Sequence, residues 1–281
     1  MTTLPKNLTE HCQKVLKRFI ENEKKDLSVF YSDANLAEAA KKAAAMVEKL
    51  VDRGCSVEYA LRFTALTLYD LVILLDDSDT MVLAEEGQRK VTLHKVLMEV
   101  SDIYSLARDE GIVSVRFFNT KKGRKNVTPA KVDDVLNKVA YTGLTKIGTE
   151  LKQKILDPFL YKEAAAGKLK KPLLIMIITD GDVEGEAQGF LKTQINNCIA
   201  KLQDTANWKM GRHAAAFYFS RIGNDDDAKA LIEGLDNDPS LGKWIDCFPV
   251  DERLEDLKVE EGKPRNWDVV CFPDSRTIFI N

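Results

Sequence analysis

LVILLDDSDTM, residues 71–81, runs from five apolar residues straight into acids and hydroxyls. Leu71 to Leu75 has strand length and no polar alternation, the pattern of a strand covered on both faces. The five residues that follow, Asp76, Asp77, Ser78, Asp79 and Thr80, are turn formers and helix caps by type. They are also hard-oxygen donors. Whether the cluster is a solvated turn or a binding site depends on what else the fold brings to the end of this strand.

Working outward, similar runs recur at Val113–Phe118, Leu173–Thr179, Ala214–Ser220 and Trp244–Val250. Between them lie stretches with helical spacing: Leu93, Leu97, Val100, Tyr104 and Ala107; then Ile147, Leu151 and Ile155; then Leu191, Ile195, Cys198 and Leu202. Strands alternating with amphipathic helices predict an α/β domain with a doubly wound, mostly parallel, Rossmann-like sheet over residues 69–255. Residues 1–68 read as a helical N-terminal extension. Its clearest helix carries Leu36, Ala40, Ala43, Val47 and Leu50 on one side, Gly54 as a stop, and Ser56 as the cap of the next helix. Residues 256–281 form a C-terminal segment in which two short strands around Pro273-Asp274-Ser275 predict a hairpin packed on the domain.

The chain has 281 residues, 44% hydrophobic and 30% charged, enough for a large core. A net charge of −3 offers no broad basic field for a phosphate backbone, so no nucleic acid is expected, although Lys121, Lys122, Arg124 and Lys125 form a local basic patch. Five scattered cysteines without a CxxC pair suit neither a disulfide framework nor a zinc ribbon. The N-terminal stretch has no apolar h-region, and no run approaches the roughly twenty apolar residues of a membrane span. No membrane partner and a cytoplasmic or nuclear location are expected. The oligomeric state is not legible.

In open parallel sheets ligands sit beyond the carboxyl ends of the strands. Asp76, Ser78 and Thr80 follow the first strand, TDGDVEGE (179–186) with Asp180 and Asp182 follows the third apolar strand, and YTGLTKIGTEL (141–151) brings Thr145 and Thr149 ahead of a helix. These oxygens favour Mg²⁺ or Mn²⁺, with Ca²⁺ a poorer fit, over zinc. D-x-S-x-T, Gly-x-Thr and Thr-Asp-Gly in this order, with YDLVILLDDSDTM, VRFFN, GLTKIGTEL and KPLLIMIITDGDVEGE, resemble the metal-ion-dependent adhesion site of von Willebrand factor A-like domains, most closely those found inside fungal cells. The resemblance implies a metal set of Asp76, Ser78, Thr80, Thr145 and Asp180, with Asp79 and Asp182 at the rim. It also implies a protein partner that completes the coordination with an Asp or Glu, and no enzymatic reaction. The family commonly has Gly and Ser where this chain has Asp79 and Thr80.

Two enzyme readings compete. TDGDVEGE is similar to the Mg²⁺-binding element of Toprim nucleic-acid enzymes, which would require Glu86 to join Asp180 and Asp182. A phosphatase of the haloacid dehalogenase type needs a second Asp at residue 78, which is Ser78. His11, His94 and His213 are badly placed to serve Ser78 as a base. A degenerate A-like scaffold without metal is the remaining alternative. Asp225–Asp227 read as a helix cap and first turn.

Overall fold

The computed structural model describes residues 4–181, 183–204, 206–241 and 244–247. The N-terminal helices begin where capping chemistry predicts. Asn7 accepts from the amide of Glu10 to start α1, Leu8–Arg18, and Ser32 accepts from Asn35 to start α2, Asp33–Asp52. Leu36, Ala40, Ala43, Val47 and Leu50 of α2 are buried, and the alanines let α1 and α5 (Gln88–Ala107) approach it. Ser56 caps the next helix, α3, Val57–Phe63, through the amide of Tyr59.

Among the described residues the sheet has six strands: β1, Asp70–Leu75; β2, Ile112–Phe117; β3, Arg124–Val127; β4, Leu173–Thr179; β5, Ala215–Arg221; and β6, Ile245–Cys247. Their order is β3-β2-β1-β4-β5-β6. All neighbours are parallel except the antiparallel pair of β2 and β3. Every residue of β4, and all of β1 but Asp70, is buried, as expected for strands covered on both faces.

The remaining α-helices among the described residues are α4, Thr80–Leu83; α6, Val132–Leu136; α7, Ile147–Glu150; α8, Lys162–Ala165; α9, Phe190–Gln203; and α10, Asp226–Asp236. Between α7 and α8 the chain stays helical but widens to a π-helix, Leu151–Tyr161, with Pro158 inside it. The result is an α/β, Rossmann-like architecture with one hydrophobic core that runs without a break from α1 to β6.

Two expectations change. β3 was not foreseen; Arg124–Val127 buries only Val127, and it is an antiparallel edge strand outside the βαβ rhythm. It fits because Gly111, at φ +76°, lets the chain pass against the backbone of Val127, where a Cβ would overlap the carbonyl. The last expected strand, Trp244–Val250, is a strand over Ile245–Cys247, and its remainder, with the hairpin expected within 256–281, lies outside the described residues.

The N-terminal helices are fastened at the lower end of the sheet. Asp26 accepts from the main-chain N and Nε of Arg212, at 3.0 and 2.8 Å, and the Tyr31 hydroxyl donates to the carbonyl of Leu68. Among the described residues, no helix is long and apolar enough to cross a membrane.

Candidate functional site

β1 lies between β2 and β4, so the chain leaves it toward one side of the sheet and returns as β4 on the other. That divergence opens a crevice at the carboxyl ends of β1 and β4. Asp76 and Asp180 are the first residues beyond these two strands, and both side chains are fully buried.

Asp76 turns back into the loop that follows it. Its Oδ1 accepts from the amide of Ser78 at 2.9 Å, and its Oδ2 accepts from Thr179 Oγ1 at 2.7 Å. Ser78 Oγ and Thr80 Oγ1 are 2.9 Å apart and hydrogen-bonded, and Thr80 Oγ1 donates to Asp180 Oδ1 at 3.1 Å. Two hydroxyls and two carboxylates from opposite sides of the crevice therefore form one polar cluster. Burial, and then the neighbouring Asp180 carboxylate, push the Asp76 carboxyl up to about 7, against the hydrogen bonds from Ser78 and Thr179. Two acids that repel one another in a dry crevice are an environment that a cation relieves.

A cation from the protein already serves one of them. Arg89, near the start of α5, donates from Nη1 to Asp180 Oδ2 at 2.9 Å and to the Asp180 carbonyl at 3.2 Å. Its Nε and Nη2 donate to Glu85 Oε1, which also accepts from the amide of Asn224 beyond β5. Burial would lower the Arg89 pKa, but the hydrogen bonds and charges of Asp180 and Glu85 outweigh it and hold it above its usual value. Glu85 reaches this position because it and Glu86 adopt φ near +50° ahead of Gly87, an uncommon backbone for non-glycine residues.

Of the expected metal set, the structure brings Asp76, Ser78, Thr80 and Asp180 together. Thr145 is buried ahead of α7 and its carbonyl accepts from the amide of Glu184, but no hydrogen bond joins its hydroxyl to the other four among the described residues. Asp79 is exposed at the start of α4, and Asp182 lies outside the described residues. Glu86 is exposed, and it is Glu85 that reaches the site. Thr149, also singled out by its motif, is held by Glu186, which accepts from Gly148 N, Thr149 N and Thr149 Oγ1, each at 2.8 Å, and so caps this helix.

Sequence reasoning missed Arg89 and the role of Asp77. Arg89 reads as one more charged residue on an amphipathic helix. Asp77, adjacent to Asp76, faces elsewhere: its carboxylate accepts from Asn119 N at 2.7 Å and Thr120 N at 2.8 Å, pinning the loop after β2. Asp77 reads only as one more acid of the cluster, and for Arg89 the sequence held no signal.

The donor set fits a hard divalent cation in kind, with two carboxylates and two hydroxyls in one hydrogen-bonded cluster. Among the described residues, no three His, Cys, Asp or Glu side chains gather as a metal centre, so hydroxyls must supply part of any coordination. Arg89 holds the outer oxygen of Asp180 and leaves Oδ1 turned toward the hydroxyls. The chain was compared with models of known protein families and with curated proteins, and it matches none of them.

Proposed function

We propose that this protein is a divalent-cation-dependent binding module of the von Willebrand factor A-like kind, which recognises an acidic residue on a protein partner. The observation that carries the reading is the hydrogen-bonded run from Ser78 through Thr80 to Asp180 beside buried Asp76, at the divergence of β1 and β4. Ser78, Thr80 and Asp180 would hold Mg²⁺ or Mn²⁺, with Asp76 acting through the loop it fixes and Thr145 approaching from the other side. A bound ion supplies a positive centre with an open coordination position. Neutral hydroxyl ligands leave that centre net charge with which to attract a carboxylate. Thr179 holds the buried Asp76 in place, and Arg89 holds Asp180 so that one oxygen faces the hydroxyls.

The Arg89–Asp180 ion pair also favours a second reading, in which the guanidinium has replaced the metal and the domain is a metal-free scaffold. Calorimetric titration of Mg²⁺ and Mn²⁺ into the protein decides between them, beside the Ser78→Ala, Asp180→Asn and Glu86→Ala variants. The adhesion-type reading predicts binding that is lost with Ser78→Ala or Asp180→Asn and kept with Glu86→Ala. Loss with Glu86→Ala and retention with Ser78→Ala would favour a Toprim-type enzyme. No binding by the unaltered protein at millimolar metal leaves the scaffold.

A further inference from the structure

The loop that Asp77 pins is the start of the β2–β3 hairpin, next to the candidate site. From Arg116 to Lys131 the chain carries six basic residues, Arg116, Lys121, Lys122, Arg124, Lys125 and Lys131, and no acidic one, in a protein whose net charge is −3. Among the described residues none of the six forms an ion pair. Arg124 and Lys131 donate to backbone carbonyls of the hairpin, while Lys121, Lys122 and Lys125 are exposed.

Arg116 is the unusual member. It belongs to β2, an inner strand, and its guanidinium lies 5.2 Å over the ring of Phe159. Gly123 crosses it on β3's side, where a Cβ would come within 2.7 Å of Nη1. Among the described residues the buried Nε has no hydrogen-bond partner and no carboxylate offsets the burial that pulls the guanidinium pKa down. Because Lys125 is paired with Ser114, two residues before Arg116, it stands on the same face of the sheet. Lysines on an edge strand discourage sheet-to-sheet pairing, which accounts for Lys125 but not for a desolvated arginine one strand inside.

The hairpin is also rigidly held. Lys154 donates to the carbonyls of Phe117, Phe118 and Thr120, and Asp77 fixes Asn119 and Thr120, so the basic groups are presented without a large ordering cost. We propose that Arg116 and the hairpin Lys121–Lys125 form a docking surface for an acidic polypeptide segment of a protein partner, with one carboxylate seated on Arg116. A planar guanidinium held against an aromatic ring suits a carboxylate fork. The choice of a polypeptide over a nucleic acid rests on the adjoining carboxylate-binding reading and on the acidic balance of the rest of the chain. The charge and geometry of the surface need no cation.

The test is fluorescence anisotropy with a fluorescein-labelled deca-glutamate peptide, run with Mg²⁺ and with EDTA, beside a labelled ten-nucleotide oligothymidylate. Arg116→Gln, and separately the exposed pair Lys121→Glu/Lys122→Glu, should each weaken peptide binding by about tenfold, the scale of one charge-assisted contact. The pair Lys168→Glu/Lys170→Glu, ahead of β4 at the other end of the sheet, should leave it unchanged. Peptide binding that persists in EDTA and is lost with the hairpin variants upholds the docking surface even if the metal reading fails. Equal weakening by the remote pair, no effect of Arg116→Gln in a variant that keeps its fold, or tighter binding of the oligonucleotide would each overturn it.

Discussion

The two ends of the sheet solve the same problem with different chemistry. At the amino end of β1, buried backbone groups are satisfied by a tyrosine hydroxyl and a lysine. Tyr104 accepts from Leu71 N at 3.0 Å and donates to Tyr69 O at 2.8 Å, and Lys171 reaches out to the carbonyl of Thr67. At the carboxyl ends the protein buries Asp76, Asp77, Asp180 and Arg89, with Arg89 bonded to Asp180. Burying charge is expensive unless each group is paired, and apolar replacements are often as stable. An end that could have been closed with tyrosines is instead built from acids, hydroxyls and an arginine. The lower end holds the N-terminal helices; the upper end holds the acidic and hydroxyl cluster.

That contrast breaks most visibly at Arg89. Replacing it with Met strips Asp180 and Glu85 of their partner in a dry crevice, and the expected loss in urea unfolding is about 3–5 kcal/mol. Added Mg²⁺ should recover part of it if the cluster binds metal, because the ion then supplies the charge that Arg89 supplied. At the lower end, Tyr104→Phe leaves the amide of Leu71 and the carbonyl of Tyr69 buried without their partner, and the expected loss is about 1–3 kcal/mol, with no dependence on divalent metal.

The smallest effect expected is a pH slope from the lower end. His213, beside Trp244, Asp26, Arg212 and Lys24, is pushed down to about 4, first by burial and then by Lys24. The unfolded chain takes up a proton near pH 6.5, and the folded form resists until about 4. Stability from this group is therefore full above about 6.5 and is lost as pH falls toward 4. Denaturant midpoints measured from pH 7.5 to 4.5 should fall less steeply in His213→Gln than in the unaltered protein.

How far the sequence carried depends on what each segment does in the fold. β1 and β4 were legible because both faces are covered, which leaves a continuous apolar run. The starts of α2 and α3 were legible because Ser32 and Ser56 cap them through local geometry. β3 was hidden: an exposed edge strand of four residues, with Asn126 at positive φ, carries almost no hydrophobic pattern. In the site, Asp76, Ser78, Thr80 and Asp180 could be picked out because they sit at strand ends that topology brings together. Arg89 could not, since its contact with Asp180 joins residues 91 apart and nothing local marks it. The widening of Leu151–Tyr161 to a π-helix leaves the apolar spacing nearly unchanged, so helix was readable there and its type was not.

The central claim is that the hydroxyls of Ser78 and Thr80, with Asp180, hold a divalent cation between β1 and β4. The most direct measurement is anomalous scattering from crystals of the protein grown with Mn²⁺. One peak within coordination distance of Ser78 Oγ, Thr80 Oγ1 and the Asp180 carboxylate, absent from Ser78→Ala crystals, is the predicted result. Crystals in which Arg89 still spans Asp180 and Glu85 and no manganese lies between the two strand ends would contradict it.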